Sequence, residues 1–365
     1  MRRWRRQMLP VIGSHLRREF LRSFALVLVA FVAIYIIAEF FDQFDEFLKH
    51  DASAWDILRV FLYKVPLVVT HVTPLAVLAG ALVGLGLLAR SNEFVALRAC
   101  GVSIWQVLAP LVAVAMLISI GTFVWSETVV PASARRWHQI WNQEIKKKRS
   151  ASSFTGREVW FHGKAGFYNI ARVGYRRRML FGLTIYQVGP DFRPTRMIQA
   201  AAAAWNGQRW DIVGAYTREF TPDGVRDVDG SPPGFELPES MDDFRVVSVE
   251  PEEFSYAMLR RQIATLRGKG VDVSESWVDL YLKIALPAAS VVLMLVAVPL
   301  VARGSRVTSL PAAAGFGFTL GFAFFIVLAF ARALGQNGAL PPLLAAWTAN
   351  GLFALLAGYY LLGND

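Results

Sequence analysis

A single cysteine, Cys100, occurs in the 365 residues, which excludes a disulfide within the chain and any metal site built from several thiolates. The five histidines, His15, His50, His71, His138 and His162, are scattered without the close spacing of a metal-binding run. There is no GxxxxGK(S/T) phosphate loop, no HExxH, no GxSxG, and no GxGxxG where a strand–helix unit would use it. With no recognisable active site and no bound cofactor expected, any work must be driven by an ion gradient or by a separate ATPase. Charge is also scarce, at 18% of residues against 55% hydrophobic, which excludes an ordinary soluble domain of this length. The first apolar segment lacks a small-residue cleavage site and is expected to stay as an anchor.

What the chain has instead is long apolar runs and a positive mean hydropathy of +0.39, the mark of a polytopic α-helical membrane protein. Six transmembrane helices are predicted, at roughly 20–41, 62–88, 104–130, 277–302, 308–334 and 342–362. The net charge of +10 would suit nucleic acid. The Arg and Lys residues, however, flank the apolar runs or fall in one polar insert, without a nucleic-acid motif, so membrane orientation accounts for much of the charge and no nucleic acid is expected. The basic start MRRWRRQ and the ARGSRVT loop place both termini in the cytoplasm.

The chain divides into 1–131, with the basic segment and the first three spans, 132–275, and 276–365 with the last three. The middle part holds most of the charge and is long enough for its own core. Short β-rich runs at 158–161, 167–173, 180–188, 196–205, 209–213, 216–220 and 244–249 are broken by Asn206-Gly207 and Pro222-Asp-Gly224. They predict an inserted all-β periplasmic domain, an antiparallel sandwich or jelly-roll-like fold. The five alanines at 200–204 argue locally for helix. Ser255 is a candidate N-cap for a connecting helix ending at Gly268.

Ionisable groups are few in the spans. Glu39, Lys64, Glu127, Lys283 and Arg332 lie near span ends, where interfacial placement is the ordinary role. His71 and Asn350 lie deeper, where packing or hydrogen bonding is commoner than proton relay. An ion-coupled secondary transporter is therefore the weaker alternative. Glu39, Asp42, Asp45 and Glu46 fall three or four apart and would form one acidic stripe on a continuing helix. Pro66 and Pro74 predict a bent second span, and the run from Ala79 to Gly86 predicts close helix packing.

Between the second and third spans lies ARSNEFVALRACGVSIW, residues 89–105. Asn92 or Ser91 can cap a short helix, Glu93 sits in its first turn where the dipole favours an acid, and Gly101 can end it. Phe94, Val95, Leu97 and Ala99 give it too little apolar surface to span a membrane. It either seats in a groove of another protein or simply links two spans.

Three spans, a β-domain, three spans and the segment NEFVALRACGVS together resemble the LptF/LptG family of lipopolysaccharide export permeases, over essentially the whole chain. The family motif reads approximately S-E-(aliphatic)-x-x-(Met/Leu)-x-A-x-G-(apolar)-(Ser/Thr), matched by Glu93, Leu97, Ala99, Gly101 and Ser103, with Asn92 in place of the serine. Residues 73–93 are nearer the LptG branch than LptF. The resemblance implies a non-catalytic subunit paired with a homologous permease, a cytoplasmic ATPase dimer that uses the ATP, and periplasmic bridge proteins. It makes Asn92, Glu93, Leu97, Arg98 and Gly101 the ATPase-coupling helix. It also implies lipopolysaccharide drawn from the surrounding membrane lipids and passed through the β-domain, with its tails shielded because each exposed CH₂ costs about 0.8 kcal/mol. Family members often carry lysines at the outer end of the first span, whereas this chain has Glu39, Asp45 and Glu46 there. Carboxylates repel phosphate unless divalent cations bridge them. The substrate-contact candidates are therefore Glu39, Lys49, Lys64 and Lys283.

Overall fold

The computed structural model describes residues 2–90, 99, 103–145, 159–163, 166–174, 178–189, 193–221, 224–230, 237, 251–268, 273–302 and 310–362. Six helices are long and apolar enough to cross a membrane. They are α1 (Arg2–Lys49), α2 (Ala54–Arg90) and α3 (Ile104–Gln139) before the insert, and α5 (Ser274–Ala302), α6 (Leu310–Gln336) and α7 (Pro342–Leu362) after it. The shorter α4 (Tyr256–Gly268) leads into α5.

The first three helices overrun the expected spans. The acidic, aromatic stretch after residue 41 stays helical to Lys49, and α3 continues past residue 130 to Gln139 and a π turn, Ile140–Ile145. The cause is visible in the packing. Beyond the apolar length the three helices share a second core of Phe47, Val60, Phe61, Ile140 and Ile145, flanked by Phe40, Trp137 and Trp141. That core favours helix where hydropathy alone predicts an exit.

α2 and α5 form the centre of the bundle. In their most apolar windows 67% and 61% of residues are buried, against 6% for α1. Small residues on α2 and on its neighbour α6 let both sides of α2 be covered closely. A Cβ added to Gly80 would lie 2.7 Å from Phe24 Cα on α1, and one added to Gly321 on α6 would lie 2.7 Å from Leu75 on α2. α2 continues through Pro66 and Pro74, and two threonine hydroxyls bond back to carbonyls four residues earlier: Thr70 Oγ1 donates to the Pro66 carbonyl at 3.1 Å and Thr73 Oγ1 to that of Val69 at 2.6 Å. Asn350 has the hydrogen-bonding role expected of it, its Nδ2 donating to the Ala285 carbonyl at 2.8 Å and tying α7 to α5.

The described part of the insert is a six-stranded antiparallel sheet in sequence order: β1 (Val159–Gly163), β2 (Gly166–Gly174), β3 (Met179–Val188), β4 (Pro194–Trp205), β5 (Trp210–Thr221) and β6 (Gly224–Asp229). The runs 209–213 and 216–220 are one strand, joined through Gly214 at φ +64°, and β6 is a strand the alternation pattern did not reveal. The expected strand at 244–249 lies outside the described residues. Ala200 to Ala204 are strand, because β4 is hydrogen-bonded on both sides, to β3 and to β5, and pairing outweighs alanine's helical preference. The Asn206-Gly207 turn forms as expected, with Asn206 Oδ1 accepting the amides of Gln208 and Arg209 at 3.0 and 2.9 Å. Tyr168, Ile170, Leu180, Leu183, Ile185 and Ile198 build the core of the sheet.

Candidate functional site

Each of four helices carries a charged residue about one bilayer thickness along the helix from its far end. About 33–35 Å of helix, at about 1.5 Å per residue, separates Lys64 from Leu87 on α2, Glu127 from Trp105 on α3, Asp279 from Val301 on α5 and Arg332 from Leu310 on α6. A bilayer's hydrocarbon core is about 30 Å thick. Helix length is thus enough to put these groups at the insert-side boundary of an apolar layer, with α1, α2 and α3 continuing beyond it.

On one flank of α2, Glu39 of α1 is ion-paired with Lys64 and also accepts a hydrogen bond from the Gln43 side chain. The Lys64 ammonium lies 4.6 Å from the centroid of the Trp137 ring on α3, and Trp125 Nε1 donates to the Pro66 carbonyl at 3.2 Å. Two substrate-contact candidates are thus brought together as an internal pair. The acidic stripe divides: Glu39 turns toward Lys64, whereas Asp42 and Asp45 stay exposed.

On another face of α2 is a cleft of about 90 Å³. Its charged lining is Glu252 from the turn Pro251–Glu253, Asp279 and Lys283 of α5, and Arg332 of α6, with His71 of α2 beside them. Asp279 is 7% exposed and accepts a 2.8 Å hydrogen bond from Arg332 Nη2. Lys283, the third substrate-contact candidate, makes no direct ion pair among the described residues, and Glu127, Glu252 and Asp279 are its nearby carboxylates. Both carboxylate oxygens of Glu127 accept the Tyr256 amide, each at 2.8 Å, and Ser255 Oγ accepts that of Met258 at 3.3 Å. The start of α4 is therefore capped by α3 as well as by its own N-cap.

Asp279 and Glu252 were not singled out from the sequence. Asp279 had a signal, since it lies four residues before Lys283 and places an acid and a base on one face of an apolar helix. Glu252 had none, as its place depends on the path of the insert back to the bundle. The fourth substrate-contact candidate, Lys49, is exposed at the end of α1, 3.8 Å from Glu46.

The proposed coupling residues Asn92, Glu93, Leu97, Arg98 and Gly101 lie outside the described residues. Ala99 is helical and exposed. Ser103 is extended, at φ −74° and ψ 155°, and its amide donates to Gln106 Oε1 at 3.1 Å, so this last position of the motif caps α3. Among the described residues no three His, Cys, Asp or Glu side chains converge to hold a metal ion. The cleft and the Glu39–Lys64 pair offer charge at the edge of an apolar layer, an arrangement suited to holding helices or amphiphiles in place.

Residues 14–363 match the family described as lipopolysaccharide export system permease LptF/LptG. The chain is similar to the lipopolysaccharide export system permease protein LptG of Escherichia coli (strain K12), with 24% identity over 361 residues, covering 96% of this chain and 98% of that protein. It is also similar to the protein of the same name from Haemophilus influenzae, with 22% identity over 324 residues, covering 88% and 89%.

Proposed function

The chain belongs to the LptF/LptG family of lipopolysaccharide export permeases, and from that premise we propose that it is the LptG-type subunit of an ATP-driven exporter in the bacterial inner membrane. The observation that carries this reading is the family match from residue 14 to residue 363, together with LptG relatives that cover 96% and 88% of the chain.

In this reading the protein is itself non-catalytic. A homologous permease pairs with it, and an ATPase dimer docks on residues 92–101 from the cytoplasm, using the ATP. Glu93 and Arg98 would supply polar contacts there and Leu97 an apolar one. The basic flanks put both termini in the cytoplasm and the sheet in the periplasm, where it hands lipopolysaccharide to bridge proteins. With Glu39 neutralising Lys64, Lys283 is the better placed cation for a lipid phosphate, since it lines an open cleft without a direct partner among the described residues.

Co-purification tests this reading. Wild-type chain extracted from membranes should bring down a soluble ATPase, and Glu93→Lys should lose it or leave its hydrolysis insensitive to lipopolysaccharide. Absence of any ATPase with the wild type would remove the energy source and the proposal with it.

A further inference from the structure

α4 carries arginines on its outward face and no acid. Leu259, Ile263 and Leu266 are buried against Val273 and Leu280, whereas Arg260, Arg261 and Arg267 are exposed and make no ion pair among the described residues. Arg260 and Arg267 are seven residues apart and share one side of the helix. Ala257 and Ala264 are also exposed on that side, and their small side chains leave the guanidinium groups open to a large planar surface.

The position of this face is fixed by two contacts. The first amide of α4 is held by Glu127, at the boundary of the apolar layer, and the buried face packs on Leu280 at the start of the α5 span. Next to them Trp277 and Tyr281 stack with ring centroids 5.7 Å apart, aromatic residues of the kind found at headgroup level. With its first amide held by Glu127 and its apolar face on α5, α4 starts beside the insert-side end of the apolar spans and turns its arginines outward there. A basic helix face held beside an apolar layer attracts anionic headgroups.

We propose that α4 is an interfacial clamp whose Arg260, Arg261 and Arg267 bind the phosphates of anionic lipid headgroups in the leaflet on the insert side. The clamp fixes the root of the inserted domain to the membrane surface. This goes beyond the export role and does not depend on which permease branch the chain represents.

Each basic residue at an anionic surface is worth about a fivefold enrichment of the acidic lipid. The test uses the full chain in nanodiscs of equal phosphatidylcholine and phosphatidylglycerol. Lipids retained after detergent extraction are counted by mass spectrometry. Wild type should retain phosphatidylglycerol selectively, and Arg260→Gln/Arg261→Gln/Arg267→Gln should lose at least tenfold of that selectivity. Arg260→Lys/Arg261→Lys/Arg267→Lys should recover most of it. Arg135→Gln/Arg136→Gln, which removes exposed arginines of α3 beyond the boundary, should retain the wild-type value. Added inorganic phosphate should not displace the lipid. Unchanged selectivity in the Gln variant, or displacement by free phosphate, would overturn the proposal.

Discussion

Separating Glu39 from Lys64 is the perturbation whose size the structure specifies best. The two side chains are 18% and 9% exposed, so neither charge is returned to water when its partner is removed. Losing one member of a buried pair costs about 3–5 kcal/mol, because the survivor is stranded. Glu39→Gln should fall near the lower end, since Lys64 still faces the Trp137 ring, a contact worth about 0.5–2 kcal/mol. Lys64→Met should fall higher, leaving Glu39 only neutral partners, the Gln43 amide and the Tyr35 hydroxyl. The double variant buries no charge at all and should lie within about 2 kcal/mol of wild type. A thermodynamic cycle on the full chain, unfolded reversibly in mixed micelles, should therefore give a coupling energy of about 3 kcal/mol or more. Additive costs, with coupling below about 1 kcal/mol, would mean that the pair is solvated and that the boundary drawn through Lys64 is misplaced.

Three other outcomes follow from the same geometry. Glu127→Gln should weaken the start of α4 by about 0.5–2 kcal/mol through loss of the charged cap, read as faster amide exchange from Tyr256 to Leu259 with the sheet unaffected. Gly80→Leu puts a side chain where Phe24 Cα already sits; overpacking of this kind costs about 1–3 kcal/mol and should lower the thermal aggregation midpoint in detergent, whereas Gly315→Leu, which meets nothing, should not. On the sheet, hydrogen bonding from Arg218 holds the Asp227 carboxyl below its usual range. The β5–β6 link is therefore fully present above the ordinary Asp value of about 3.9 and fades as pH falls through the depressed one. Exchange of β6 amides should rise over that window in wild type and be insensitive to it in Asp227→Asn.

Much of the architecture was legible in the sequence because it depends on local patterns. Hydropathy located six spans, Asn206-Gly207 located a hairpin and Ser255 located the start of α4. The misses share a cause. Where α1, α2 and α3 end depends on Phe47, Val60 and Ile140 meeting across three helices, and the alanines of β4 are strand because of their neighbours on both sides. Periodicity shows which face of a helix is apolar but not which helix it meets. Lys64 and Glu39 were both visible as charges near span ends, yet their pairing was not, nor was the union of Asp279 with Arg332 across 53 residues of sequence. The inward turn of Glu39 accounts for an acid at a position where cationic residues were expected, since its charge is balanced inside the bundle.

The proposed export role requires lipopolysaccharide to move at the expense of ATP hydrolysed by a separate subunit. The most direct measurement is release of lipopolysaccharide from proteoliposomes that contain the chain, its homologous permease and the ATPase, with bridge proteins added outside. Release should require ATP and disappear when this chain is omitted or carries Glu93→Lys. Release that proceeds equally without ATP, or without this chain, would contradict it.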